Sequence, residues 1–188
     1  MASIQTIGIG TIANDGTGDT LRNAFDKTNQ NFASLNTTTP KLVNKSILSY
    51  SNTGVTTLQL VGSATIATGT FSANDMLFIN AYFTKVGASA SYNATIWINT
   101  SLSLTGATQI GIYTTPVSAI LYTPISRSFY INTNILYGSS FTTSNLTDAT
   151  GNKSSATFTT TAPIYIMFAM QTSSTTDTMQ FNGFKITN

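Results

Sequence analysis

Ile164-Tyr-Ile-Met-Phe-Ala-Met170 is an apolar run that would give a strand with apolar residues on both faces. Met76-Leu-Phe-Ile79 has the same character. A solvated antiparallel sheet keeps one face polar, so the second face of these strands needs a cover. We expect a subunit interface to supply that cover, and burial inside a single domain is the alternative.

Around these two runs, residues 41–188 alternate between short strand-like segments and turns such as Ser51-Asn-Thr-Gly54. The predicted strands are 41–50, 56–61, 64–68, 76–85, 92–99, 108–113, 117–121, 127–131, 155–160, 164–171 and 178–186. Short strands at about ten-residue spacing are typical of a sandwich, a jelly roll or a barrel. We predict a mainly β protein whose 41–188 domain is a jelly-roll-like antiparallel β-sandwich.

The last predicted strand is interrupted by Asn182-Gly183. Before the interruption Met179 and Phe181 share a face, and after it Phe184 and Ile186 share a face that is shifted by one position. A β-bulge at Asn-Gly would return all four side chains to one inward face. A tight hairpin with very short arms is the alternative.

Ahead of the β domain, the segment from Asn14 to Phe32 combines a turn, a helix cap and a helix. Gly16 and Gly18 suit the turn because glycine adopts positive φ without strain, and Asp19 is predicted to be the N-cap. The predicted helix, 19–35, carries an apolar stripe at heptad spacing, formed by Leu21, Phe25, Thr28, Phe32 and Leu35. An isolated helix of this length is marginal in water, so it cannot hold an oligomer together by itself. Residues 36–40 end in proline and separate segment 1–40 from domain 41–188.

The composition excludes several classes of function. Only 7% of the 188 residues are charged and the net charge is +2, with no basic patch that would favour nucleic-acid binding. No apolar run is long enough for a membrane span. The chain has no histidine and no cysteine, so Ser-His-Asp triads, Cys-His pairs and the usual zinc sites cannot form.

Carboxylate chemistry is the remaining hydrolytic route, and it requires two convergent carboxylates. The aspartates fall in the N-terminal turn and helix or in predicted turns, where they mostly serve turn geometry. Asp75, Asp148 and Asp177 lie in predicted turns, and a polysaccharide-degrading enzyme would need a pair among them to converge. We expect no enzyme activity, no cofactor and no metal.

Amphipathic aromatic residues are the best candidates for ligand contact. On a neutral surface rich in Asn and Thr they could stack on sugar rings while amides bind the hydroxyls. Trp97 shares a strand face with Asn99, whereas Ile96 and Ile98 take the opposite face. We therefore predict Trp97 as the exposed aromatic residue, with Tyr92 and Asn99 as further possible glycan contacts; packing in the core or at subunit contacts is the alternative.

The segment Asn14-Asp-Gly-Thr-Gly-Asp-x-Leu-Arg-x-Ala-Phe-x-Lys-x-Asn-x-Asn-Phe32 resembles one near the N-terminus of many tailed-phage virion proteins, including tail-fibre-like proteins. In that family it precedes a variable C-terminal region. The resemblance covers about twenty residues, and it implies an attachment or trimerisation element. The residues that would carry this role, together with the last stripe residue, are Asp15, Gly16, Gly18, Asp19, Leu21, Arg22, Phe25, Asn29, Asn31, Phe32 and Leu35.

From the resemblance we expect a homotrimeric virion surface protein, made in the host cytoplasm, that is a small tail fibre or head fibre. The N-terminus would dock to another virion protein, and the β domain would adhere to host-surface glycans. A capsid decoration or stabilising protein without a ligand site is the main alternative. A carboxylate-dependent polysaccharide-degrading enzyme is the third.

Overall fold

A computed structural model describes residues 5–11, 16–38, 41–47, 49–115, 117, 120–139, 153–159 and 161–188. The chain divides into two compact units, Met1–Lys41 and Leu42–Asn188. In the described part of the chain, no helix has the length and apolarity that a membrane crossing requires.

The N-terminal unit contains helix α1 (Leu21–Thr38), which begins two residues later than predicted. Thr20 is its N-cap, since Ala24 N donates to Thr20 O at 2.9 Å and Asn23 N reaches Thr20 Oγ1 at 3.4 Å. The predicted N-cap, Asp19, is therefore wrong, because its carboxylate binds other partners that are described below.

The second unit is mainly β. In the described ranges, eleven strands form two antiparallel sheets: β1 (Leu42–Ser46), β2 (Tyr50–Thr53), β3 (Gln59–Ile66), β4 (Met76–Val86), β5 (Tyr92–Asn99), β6 (Thr108–Thr114), β7 (Ile120–Asn132), β8 (Ile135–Ser139), β9 (Lys153–Thr157), β10 (Ile164–Thr172) and β11 (Thr178–Thr187). Sheet A has the order β1-β11-β4-β7-β8-β9, with β2 also paired to β11. Sheet B has the order β3-β10-β5-β6. This arrangement agrees with the predicted β-sandwich.

Aromatic stacking between the two sheets fills the centre of the core. Phe168 of β10 stacks on Phe181 and Phe184 of β11, with ring centroids 5.2 and 4.7 Å apart. Phe83 of β4 lies 5.0 Å from Phe181. These rings bring sheets A and B together face to face, because each sheet contributes alternate side chains to one apolar layer.

A buried arginine also links the two sheets. Arg127 of β7 points inward, donates from Nε to Ile110 O of β6 at 2.9 Å and lies 5.2 Å from the centre of the Phe129 ring. The carbonyl and the ring face both favour a cation, which offsets part of the cost of burying the guanidinium group.

The predicted bulge in the last strand is confirmed. The pairing of β11 with β4 shifts register between Phe181 and Gly183, and Met179, Phe181, Phe184 and Ile186 are all buried. Gly183 has φ +125°, and a Cβ at this position would collide with Ser46 O of β1. Only glycine meets both demands.

Two predicted breaks in strands are wrong. Residues 120–121 of the first predicted segment and all of 127–131 belong to the single strand β7, in which Pro124 lies opposite Tyr82. Described pairing of β7 with β8 covers only residues 129–132, so Pro124 lies where β4 is the described neighbour and a missing N–H is tolerated. Segments 56–61 and 64–68 overlap the single strand β3, where Gly62 makes room for the Phe181 ring. Strand β8 was not predicted.

The two strands that are apolar on both faces have different surroundings. On the outer face of β10, Met167 and Ala169 are 0% exposed, and Trp97 of β5 lies directly opposite Met167. The expectation of an interface over β10 is therefore wrong, because its neighbours in sheet B already cover it. On β4, Met76 is 39% exposed, so that face remains open.

Candidate functional site

An extended segment, residues 5–11, lies along one flank of α1, and Asp19 fastens it there. Asp19 N donates to Gly8 O at 2.8 Å, and Gly8 N donates to Asp19 Oδ2 at 2.7 Å. Lys27 Nζ, two turns along the helix, lies 2.7 Å from the same carboxylate oxygen. The hydrogen bond from Lys27, followed by that from Gly8, lowers the pKa of Asp19 below its usual range.

Asn31 and Lys27 bind the same segment further along the helix. The Asn31 amide accepts from Gln5 N at 2.8 Å and donates to Gln5 O at 2.9 Å, so one side chain satisfies both backbone groups of Gln5. Lys27 Nζ also donates to Thr6 O at 3.2 Å, and the Gln5 side chain bonds to Gln30. We call Asp19, Lys27 and Asn31 the clamp.

The glycine turn lets the chain approach this segment closely. A Cβ on Gly18 would lie 3.0 Å from Gly10 N and 3.1 Å from Gly8 O, which is tighter than a side chain normally allows. Gly16 has φ +71°, in the left-handed region that favours glycine. Asp15, the remaining predicted turn residue, lies outside the described residues.

The apolar stripe of α1 is not used by the clamp. Its large side chains are exposed: Leu21 75%, Phe25 60%, Phe32 66% and Leu35 47%. Arg22 and Asn29, which flank the stripe on the side away from the clamp, are exposed as well. The motif therefore contains two kinds of residue. The clamp residues hold segment 5–11 against the helix, and the stripe residues are exposed on the surface of the helix. An exposed row of large apolar side chains is typical of an interaction surface.

Lys27 is the clamp residue that the sequence prediction omitted, although it belongs to the motif. A lysine eight residues after an aspartate is not a helical i, i+4 pair. The spacing brings the two groups together because Asp19 precedes the helix and turns back toward it.

In the β domain, the structure places Tyr92, which we named as a possible glycan contact, out of reach of a ligand. Tyr92 is 1% exposed and its hydroxyl donates to Thr123 Oγ1 at 2.8 Å across the sandwich. Burial raises the pKa of Tyr92, and the hydrogen bond to Thr123 offsets this only in part. Tyr92 is a core residue.

Trp97 and Asn99 do lie on the outer face of sheet B, each half-buried. Trp97 Nε1 donates to Thr95 Oγ1 at 2.8 Å. Part of the indole ring is accessible to solvent. The amide of Asn99 donates to Ser103 O at 2.9 Å and accepts from Thr100 N at 2.8 Å, so it stabilises the turn after β5. Of the three predicted contacts, Trp97 best keeps its potential to meet a ligand.

The surroundings of Trp97 are neutral and polar. Gln109 of β6 pairs with it on one side, and Tyr165 of β10 lies opposite Asn99 two positions along the strand. Thr65 of β3 is exposed opposite Tyr165. Two half-buried aromatic residues among amides and hydroxyls suit a carbohydrate better than a charged ligand.

The outer face of sheet A has a different character. Alternate residues of β4 and β7 point outward, and the exposed ones are mainly apolar or aromatic: Met76, Tyr82, Val86, Ile120, Tyr122, Pro124 and Tyr130. A hollow of about 380 Å³ lies between Tyr82 and Tyr122, with Thr84 and Asn182 in its lining. We call these outward residues of β4 and β7 the A face.

Asp177, one of the three turn carboxylates considered for catalysis, is buried in an ion pair with Lys85. Its Oδ2 lies 3.0 Å from Lys85 Nζ and accepts from Ala90 N at 3.0 Å, while both carboxylate oxygens accept from Ser89 N. Burial opposes the charged form, but the hydrogen bonds from Lys85, Ala90 and Ser89 outweigh it and hold the pKa of Asp177 well below its usual range. A carboxylate held in this way suits a structural role. Asp148 lies outside the described residues.

Comparisons with known proteins found no relative of this chain. No protein-family model matches the chain, and no curated protein or solved structure matches it either. In the described part of the chain, no three residues among Asp, Glu, His and Cys are grouped as metal ligands would be.

Proposed function

We propose that this chain is a bacteriophage virion surface protein, a small tail fibre or head fibre. Its N-terminal unit docks to another virion protein, and its β domain projects and adheres to host-surface glycans. The observation that carries the proposal is the division of the N-terminal motif into a clamp and an exposed apolar stripe. The motif resembles a segment of tailed-phage virion proteins, and its geometry suits an attachment module.

The clamp explains how a small unit can display apolar side chains. Hydrogen bonds join Asp19, Lys27 and Asn31 to Gly8, Thr6 and Gln5 respectively, and so fasten segment 5–11 to the helix without using the stripe. The helix is therefore held by its polar flank, and Phe25 and Phe32 remain available to a partner. Covering these rings would supply most of the docking free energy, because aromatic side chains dominate the energetics of interfaces.

The β domain supports the rest of the proposal through its strand order. Without β2, β8 and β9, the sheets read β1-β11-β4-β7 and β3-β10-β5-β6, which is the order of an eight-stranded jelly roll. We propose that three such domains associate, so that three weak glycan sites around Trp97 act together. Linked weak sites gain avidity without new contacts.

Incorporation into virions tests the docking role. Phe25→Ser combined with Phe32→Ser should abolish incorporation in the parent phage, because the stripe loses its two rings. Asn23→Ser, on an exposed side of the helix away from the stripe, is the control and should incorporate normally. Normal incorporation of the double variant would disprove docking through the stripe.

Glycan binding tests adhesion separately. Trp97→Ala should lose binding on a glycan array, whereas Thr57→Ala, at an exposed position before β3, should change it little. A wild-type chain that incorporates into virions but binds no glycan would instead be a decoration protein. Polysaccharide turnover that disappears in Asp148→Asn would establish the enzyme alternative.

A further inference from the structure

We infer that the A face is the surface through which copies of this chain associate with one another. This inference rests on the proposed function, in which three copies of the chain associate. It assigns assembly to one side of the β-sandwich and leaves the Trp97 side of the sandwich for ligand.

The most exposed side chains of the A face lie toward one end of it, where β4 ends and β7 begins. Tyr122 is 77% exposed, Ile120 59%, Tyr82 51% and Val86 43%. Cross-strand pairing places them side by side, because Thr84 lies opposite Tyr122 and Val86 opposite Ile120. Contiguous apolar surface of this kind marks an association site more often than it marks a free surface.

The shape of the A face suits contact with the A face of a second copy. Tyr122 is 77% exposed and lies beside the hollow of about 380 Å³. The floor of the hollow is fixed, since Thr84 is buried and its hydroxyl donates to Asn182 Oδ1 at 2.9 Å. An exposed ring next to a hollow allows one copy to place its ring in the hollow of the next, and such a head-to-tail contact gives a closed ring of copies when the rotation between them closes.

The absence of charge identifies the occupant as a second copy. None of the outward residues of the described strands β4 and β7 is Asp, Lys or Arg. Two copies of a charged surface would repel each other, whereas two copies of this face meet without opposing like charges. Lys185 of β11 lies opposite Asn80 of β4, and with its cross-strand partner Lys45 of β1 it marks the limit of the uncharged face on that side.

The outer face of sheet B lacks these properties. Its central apolar residues Met167 and Ala169 are already buried within the chain, and its exposed residues include Ser63, Thr65 and, opposite Ala169, Leu60 at 36%. The asymmetry between the two faces argues that the A face has the greater need of a cover. It also explains why one of the two strands with two apolar faces, β10, needs no partner while β4 does.

Mass measurements on the full chain test the inference. By light scattering at micromolar concentration, the wild-type chain should be a multiple of its 20.0 kDa monomer mass. Tyr122→Asp should be a monomer with an unchanged far-UV circular dichroism spectrum, because the side chain is exposed. Thr65→Asp, which adds the same charge to sheet B, should keep the wild-type mass. A monomeric wild type, or an oligomeric Tyr122→Asp, would overturn the inference.

Cross-linking gives a second measurement that does not depend on loss of assembly. The chain has no cysteine, so Tyr122→Cys introduces a unique thiol. A short bis-maleimide should join subunits through Cys at this position, and Thr65→Cys should give none of these products. Equal cross-linking by the two variants would contradict the A face assignment.

The proposed virion function is tested separately from the A face assignment. Phe25→Ser with Phe32→Ser should leave the solution mass unchanged, since the A face is intact; a monomer would show that the helix stripe, not the A face, joins the copies. If the A face holds the copies together but no variant alters virion incorporation or glycan binding, the inference stands and the virion function fails.

Discussion

Lys85 Nζ lies 3.0 Å from Asp177 Oδ2, and both side chains are excluded from solvent. The carboxylate also accepts from Ser89 and Ala90, while Asp177 O accepts from Gly54 N at 3.1 Å. Lys85 in turn donates to Gly87 O. One ion pair therefore ties the end of β4 to the loops at residues 54, 87–90 and 174–177.

Acid should weaken the β domain through this pair. The pKa of Asp177 is lower in the folded chain than the value of about 3.9 expected when unfolded, so the unfolded state binds the proton more readily. The stabilisation is complete above the unfolded pKa and is lost as pH falls through that value toward the folded pKa. Urea midpoints should hold near neutral pH and fall below about pH 4. Asp177→Asn should be less stable at neutral pH and should show a shallower acid dependence; an equally steep dependence would exclude this residue as its source.

Gly183→Ala should destabilise the β domain by about 2–4 kcal/mol, because the methyl group combines a strained φ with a clash against Ser46 O. Gly69→Ala is the matched control, since Gly69 also has positive φ but open space around it. That control should cost about 1 kcal/mol. Urea unfolding of both variants measures the difference, and equal losses would mean that the contact with β1 contributes nothing.

Asn31→Ala should loosen residues 5–11 without unfolding the β domain. Loss of the two bonds to Gln5 should cost about 1 kcal/mol locally, which speeds hydrogen exchange of the Gln5 amide about fivefold. Asn29→Ala, exposed on the other flank of the stripe, should leave that exchange rate unchanged. The same rate in both variants would mean that Asn31 does not hold the segment.

Tyr92→Phe should separate a core role from a ligand role. Removing the hydroxyl takes away the bond to Thr123 and should cost about 1 kcal/mol of stability. Glycan binding should be unchanged, because Tyr92 is buried, while Trp97→Ala should lose it. A Tyr92→Phe variant that stays equally stable but binds no glycan would reverse the assignment made here.

Much of the β domain could be predicted from local pattern. Strand β5 was placed at its observed bounds, Tyr92–Asn99, because alternation and turn residues agree there. The bulge at Gly183 is predictable because Met179 and Phe181 stand at odd positions, whereas Phe184 and Ile186 stand at even positions. The prediction divided β7 around Pro124, since local sequence does not reveal that the described pairing of β8 is confined to residues 129–132 of that strand. Strand β8 is short, and its pairing with β9 depends on chain that is distant in sequence.

The candidate sites could be predicted less well, because their contacts are tertiary. Asn31 binds a residue 26 positions earlier, and no spacing rule on a helix implies that contact. The burial of Tyr92 was predictable in retrospect, since it shares strand parity with Ile96 and Ile98, which the alternation had already placed inward. The covering of Met167 by Trp97 required the order of the strands.

The Asp177 ion pair has a consequence for how this scaffold can change. The loops that it joins cannot lengthen independently, because each supplies a donor or acceptor at a fixed distance. Residues 100–107 follow the other end of β5, where Gly106 has open space around it. Inserted peptides should therefore be tolerated in the turn at 100–107 and should unfold the domain at 87–90. Loop length is therefore constrained at the end of the sandwich that contains Asp177, and it can vary at the end that contains residues 100–107.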